Sequence, residues 1–229
     1  MDRHTRTYVA LVVIVAAVLL AVLLPHASIS DPLRFGGFLL VALLASVFKV
    51  RIPGLTGTYS LGFVVLLAAV SELSLAEVLG IALACAVAQS YWRAARRPQL
   101  VQVVFNAANL VISVAGASAV FHASRFWSED WLFLSVGLAA LGYYVLNTGL
   151  TAAVLCLVEG GTLRRMWAHW NFYTLPYCLL GCTLAMAWVF CSRQIHWQGA
   201  LIAAFLLYQV FRLMRGFVSF QQSVEGHRT

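Results

Sequence analysis

The sequence predicts an all-α fold: a polytopic transmembrane helix bundle of about eight spans with both termini cytoplasmic. Three observations carry that expectation. Of 229 residues, 62% are hydrophobic and 10% charged, against about 25% charged in an ordinary soluble domain, so a water-soluble fold would have too little polar surface to cover itself. Apolar runs of about 18 residues or more, the length that crosses a hydrocarbon layer ~30 Å thick, recur along almost the whole chain. The basic residues alternate in density between those runs. With the N-terminus in the cytoplasm, twelve of the fifteen Lys and Arg (Arg3, Arg6, Lys49, Arg51, Arg93, Arg96, Arg97, Arg164, Arg165, Arg212, Arg215 and Arg228) fall on the cytoplasmic side, as the positive-inside rule requires. The chain reads as one membrane domain, residues 1–215, followed by a short cytoplasmic tail, residues 216–229.

Taken in order, the first span is Tyr8 to Leu24, after Arg3 and Arg6 and before Pro25. A signal peptide has a similar basic head, but its apolar core is usually about 7–15 residues and ends in a small-residue A-x-A site. The run here is longer and lacks that site, so a retained span is expected. The second span is Leu33 to Phe48, with Pro32 at its start and Gly36-Gly37 near its entry, where small residues permit close helix approach in lipid. Lys49 and Arg51 mark a basic exit, and Pro53, Gly54 and Gly57 an irregular segment.

The third span, Tyr59 to Val70, is short for an upright crossing; it is either a full helix in a thinned bilayer or a re-entrant segment buried among other helices. Ser74 followed three residues later by Glu77 matches a capping box, which starts the fourth span at Leu75. That span ends near Trp92, and Gly80, Ala84 and Ala88 recur along one of its faces. The fifth runs from Leu100 to Phe121 and the sixth from Leu132 to Val158, with Trp127 and Trp131 suited to the interface between them. The seventh, Asn171 to Cys191, is interrupted by Pro176, which removes a backbone donor and kinks a helix. The eighth runs from Trp197 to Leu213.

The candidate ligand-binding residues lie on the fifth and sixth spans. Gln102, Asn106, Asn109 and Ser113 step by four, three and four residues, one helical stripe. The sixth span supplies Tyr144, Asn147, Thr148 and Thr151. At ~1.5 Å per residue, Asn109 and Asn147 lie at comparable mid-membrane depth, about 14 and 18 Å from their own cytoplasmic ends. Two readings stay open: the amides are interhelical glue worth about 0.6–2 kcal/mol each, or Gln102, Asn106, Asn109, Tyr144, Asn147 and Thr151 converge on a ligand. Intramembrane polar groups lean towards function, most of all when ionisable.

Other function classes find little support. The net charge of +7 is scattered between apolar runs, which leaves no basic soluble surface for nucleic acid. The five cysteines, Cys85, Cys156, Cys178, Cys182 and Cys191, have no metal-knuckle spacing and read as small packing residues; no metal and no cofactor is expected. Glu72 and Glu77 read as a solvated outer turn, and His122, His169 and His196 as isolated residues. No Asp, Glu, Lys or Arg lies in a mid-span position, against the pattern of proton-driven carriers. No catalytic motif is present, so a non-enzymatic protein is expected.

The runs KVRIPGLTGTYSLGF, SELSLAEVLGIALACAVAQSYWRA and RRPQLVQVVFNAANLVIS resemble the membrane region that precedes cytoplasmic GGDEF diguanylate cyclase or HD-GYP phosphodiesterase domains in many bacterial signalling proteins. The resemblance covers Lys49 to His122. It implies a sensory or anchoring input module in a bacterial inner membrane, whose last helix passes a signal onward. No GGDEF, EAL or HD signature follows Arg215, so cyclic-dinucleotide chemistry is not carried over and the expected partner is a separate cytoplasmic signalling protein. The expectation is a sensory or ligand-binding module in the lipid bilayer for a small-molecule or lipid ligand. The alternatives are a transporter or substrate-binding membrane subunit, and an intramembrane lipid-modifying enzyme.

Overall fold

The structure, a computed structural model, describes residues 2–23, 25, 29, 31–47, 49–51, 58–92, 98–125, 131–195 and 208–209. Among them the chain forms α1 (Arg3–Leu23), α2 (Pro32–Val47), β1 (Lys49–Arg51), β2 (Thr58–Ser60), α3 (Gly62–Glu72), α4 (Leu75–Tyr91), α5 (Leu100–Arg125), α6 (Leu132–Glu159) and α7 (Leu163–Ile195). The strands form one antiparallel ribbon, with Lys49 opposite Ser60 and Arg51 opposite Thr58.

Local chemistry sets several boundaries. The capping box at the head of α4 forms as its residues predict: Ser74 Oγ accepts from the Glu77 amide, and the Ser74 amide donates back to Glu77 Oε2 at 2.9 Å. Gly160 and Gly161, with φ of 75° and 137°, adopt conformations that side chains disfavour, and so give α6 and α7 a tight connection. α7 runs from Leu163 straight through Pro176. It is therefore longer at its start than the span expected from Asn171, and unbroken where an interruption was expected.

Side-chain pairs fix the directions of the helices. Asn109 meets Asn147 and Thr151, so α5 and α6 are antiparallel. Phe133 lies 6.2 Å from Phe190, ring to ring, and Tyr144 bonds Thr174, so α6 and α7 are antiparallel too. Thr5 donates to the Leu157 carbonyl and Tyr8 to that of Leu150, setting α1 against the end of α6. The starts of α1 and α5 and the end of α6 thus share one end of the bundle, here the near end. At the far end, Arg34 of α2 pairs with Glu72 of α3, and Ser192 of α7 donates to the same carboxylate.

The centre of the fold is α3. Every residue from Leu61 to Val70 is buried, which is unusual for an amphipathic surface helix and expected of one enclosed on all sides. Its 11 residues measure about 16 Å, roughly half a hydrocarbon layer. Its end is at the far face with Arg34 and Ser192, while Phe63 at its start stacks on Tyr143 in the middle of α6, with centroids 6.1 Å apart. The same ring fills the space that a Cβ at Gly181 of α7 would occupy. The third apolar run thus forms a short helix, a half-helix by length, whose start lies level with the middle of α6.

Four helical segments are long and apolar enough to cross a membrane, Arg3–Leu23, Leu100–Ser124, Leu132–Glu159 and Thr174–Ser192, whereas Pro32–Val47, Gly62–Glu72 and Leu75–Tyr91 are shorter. Eight equal crossings are not what the described residues form. The run ending in Phe48 passes into the ribbon, and the run starting at Tyr59 spends its first residues there. The eighth run lies outside the described residues apart from positions 208 and 209.

The solvated pair of glutamates is corrected. The Glu72 side chain is 9% exposed and holds Arg34 and Ser192. Glu77 is 3% exposed: its Oε2 serves the cap, and its Oε1 has no hydrogen-bond partner among the described residues. Both were read as exposed because a turn between apolar runs was taken to face water; Ser74 in this turn is exposed, but the two carboxylates fold back onto Arg34, Ser192 and the helix cap.

Because Phe63 occupies the space of a side chain at Gly181, Gly181→Ala is expected to cost about 1–3 kcal/mol. It lowers the thermal midpoint of the purified protein in detergent. Gly149→Ala, where a Cβ meets open space, leaves the midpoint unchanged or raised, and adding Phe63→Leu to Gly181→Ala recovers part of the loss.

Candidate functional site

A belt of hydrogen bonds crosses α5, α6 and α7 at mid-depth. Its centre is Asn109, 5% exposed, whose Nδ2 donates to Asn147 Oδ1 at 2.9 Å and lies 3.1 Å from Thr151 Oγ1. Ser113 Oγ donates to the Asn109 carbonyl at 2.7 Å and approaches Oδ1 at 3.4 Å. Thr151 also donates to the Asn147 carbonyl at 2.8 Å. The belt continues on the adjacent stripe of α6: the Tyr144 and Thr174 hydroxyls are 2.9 Å apart, and Trp167 Nε1 donates to Thr148 Oγ1 at 3.1 Å. The polar residues of α6 therefore form a wedge, with Asn147 and Thr151 towards α5 and Tyr144 and Thr148 towards α7.

The six candidate residues divide by position. Asn109, Asn147 and Thr151 form one cluster, and Tyr144 faces the next helix. Gln102 and Asn106 are exposed and make no hydrogen bond to the cluster among the described residues. Gln102 sits in the first turn of α5, where its Oε1 accepts from the Gln99 amide at 3.3 Å. Asn106 has no side-chain hydrogen bond among the described residues, and neither has Asn147 Nδ2.

The exposure of Asn106 is a matter of depth and not of face. It precedes Leu110, Ser113 and Ala117 by four, seven and eleven residues, so it shares their face, and those three are 7%, 0% and 0% exposed. The exposed Val101 and Val104 lie on the opposite side of α5. α3 and α4 pack against α5, but α4 ends at Tyr91, about 25 Å from the far end, whereas Asn106 lies about 28 Å from it along α5. Asn106 thus lies on the face that carries Asn109, one turn closer to the near end, where it is exposed.

Among the described residues no group of three or more His, Cys, Asp or Glu could hold a metal ion, and no Asp, Glu, Lys or Arg belongs to the belt. Such a site presents amide and hydroxyl groups and aromatic edges. It can orient an uncharged polar molecule by hydrogen bonds but offers no nucleophile with an adjacent base. The sequence had no signal for Thr174 and Trp167, because both reach α6 from α7 through tertiary packing. Ser192 likewise carries no motif.

If the cluster acts as a unit, a double-mutant cycle over Asn109→Leu and Asn147→Leu gives a coupling energy of about 0.6–1.7 kcal/mol. Denaturant titration of the protein in mixed micelles measures it; Asn106→Leu paired with Asn147→Leu gives none. Comparison with family models, with curated proteins and with solved structures returns no match to this chain.

Proposed function

We propose that the protein is a ligand-binding, sensory membrane module of the bacterial inner membrane, non-enzymatic, with both termini cytoplasmic and eight apolar segments counted along the chain. The observation that carries the reading is Asn106, an exposed amide that shares a face of a membrane-length helix with Asn109 and, like Asn147 Nδ2, has no hydrogen-bond partner among the described residues. In a purely structural belt these donors and acceptors would be matched within the protein, because unpaired polar groups in hydrocarbon are costly. The ligand is a small uncharged molecule with hydrogen-bonding groups, entering from the near end, which the distribution of Lys and Arg places in the cytoplasm.

Binding would bias two packings of α5, α6 and α7 by its differential affinity for them. The outcome would pass to a separate cytoplasmic signalling protein through the C-terminal segment that carries Arg212 and Arg215. Asn109→Leu is expected to abolish response or ligand binding without preventing membrane insertion, scored by thermal-shift screening of small polar compounds against both proteins; equal shifts in the two would leave the belt as structural glue. Reporter fusions at Arg97 and Glu129 should read cytoplasm and exterior respectively, and the reverse would sink the topology.

A second reading, a transporter or substrate-binding membrane subunit, draws on α3. A half-helix enclosed at mid-depth is the kind of discontinuous element around which transporters build central sites. Solute uptake by the protein reconstituted in vesicles separates the two.

A further inference from the structure

The far end carries one ionic cluster that the belt does not use. Arg34, in the first turn of α2, pairs with Glu72, the last residue of α3, and Ser192 near the end of α7 donates to Glu72 Oε1 at 3.0 Å. The Val189 carbonyl also lies 3.0 Å from Ser192 Oγ, so the single hydroxyl proton is shared between the carboxylate and the carbonyl. Arg34 is half-exposed while Glu72 is almost buried, so loss of the arginine would leave a carboxylate without its counter-charge in a poor solvent. Three helices are thus fastened at a single carboxylate.

That carboxylate ends the half-helix whose other end lies against Tyr143, one residue along α6 from the belt's Tyr144. Phe63, at the start of α3, stacks on Tyr143, the chain neighbour of Tyr144, and sits in the slot left by Gly181. α3 runs parallel to the last part of α7: Phe63 lies at Gly181, and Glu72 at Ser192. At its start it is joined to β2 through Leu61 alone, and at its end a short turn, Leu73 and Ser74, leads to α4. Such a rod, continuous in backbone hydrogen bonds and packed on every side, transmits a displacement from one end to the other.

We infer that α3 is a gate rod. The Arg34–Glu72–Ser192 cluster latches its far end to α2 and α7, and release of the latch withdraws Phe63 from Gly181 and Tyr143 and opens the polar belt from the far side. The inference gives the proposed ligand site its regulation and rests on that reading for its purpose, but its geometry is tested without a ligand.

The test uses single cysteines on the full-length protein, with modification by a small polar thiol reagent read by peptide mass spectrometry at the introduced position. Val65 and Ala69 are both fully buried on α3, seven and three residues before Glu72. Glu72→Gln and Glu72→Arg are expected to raise the labelling rates of Val65→Cys and Ala69→Cys together, by about fivefold or more. The pair Arg34→Glu with Glu72→Arg, which restores opposite charges, returns both to the parental rate. Glu72→Gln keeps a polar partner for Ser192 and covers the case in which Glu72→Arg fails to fold. Labelling confined to Ala69→Cys would mean local fraying and would overturn the rod, as would rates unchanged by Glu72→Gln or left high by the charge swap. Labelling of Asn106→Cys in the same preparations, independent of the latch, reports access to the ligand site from the near end: its failure counts against the ligand site and not against the gate.

Discussion

A backbone in hydrocarbon has no water to bond to, and the whole arrangement answers to that constraint. A helix of 11 residues satisfies its own interior but exposes its first N–H groups at the level where it begins. In α3 that level is mid-depth. The local answer is small: the Gly62 amide bonds Ser60 Oγ at 3.0 Å and the Val64 amide bonds the Leu61 carbonyl at 3.1 Å. The larger answer is enclosure, with α2, α4, α5, α6 and α7 all packed against the half-helix. Non-helical backbone at membrane depth is tolerated where protein surrounds it, and the β1–β2 ribbon leads directly into this protected position.

The polar belt follows the same logic at the level of side chains. Asparagine carries two donors and an acceptor with two lone pairs, so one residue can join several neighbours. Asn109 spends its donors on α6 and receives Ser113 from its own helix, and is close to saturated. Asn147 Oδ1 accepts one Asn109 hydrogen while Thr151 Oγ1 faces the other, and Asn147 Nδ2 makes no hydrogen bond among the described residues. Two residues of the same type in one cluster are thereby unequal, one a fixture and one available.

The sequence made the bundle legible because hydropathy and the placement of Lys and Arg are properties of the chain alone. The capping box at Ser74 and Glu77 was equally plain, since it is a local pattern with a local cause, and the depth match of Asn109 with Asn147 followed from counting residues along two neighbouring helices. What the sequence did not show was the enclosure that neighbouring helices give to particular side chains. Glu72 and Glu77 were assigned to water because a turn between apolar runs usually meets it. Gln102 and Asn106 were placed on one stripe with Asn109, correctly by angle, yet a stripe does not record how far its neighbours extend. Asn109 and Ser113 are buried, while Gln102 and Asn106, closer to the near end on the same stripe, are exposed. The length of α3 was ambiguous for a related reason, because hydropathy measures an apolar run without distinguishing helix from the ribbon that precedes it.

The enclosure of α3 also has a meaning for how the chain is made. About 20 apolar residues are needed for a segment to partition into lipid as a helix by itself, and α3 has about half that length. Its stable place is defined by Tyr143, Gly181 and Ser192, all synthesised at least 70 residues later. The first half of the protein must therefore leave the ribosome with its central element uncommitted, held at the membrane by α1 and α2, until α6 and α7 arrive. Assembly runs against the order of synthesis here, and the innermost helix is fixed among the last.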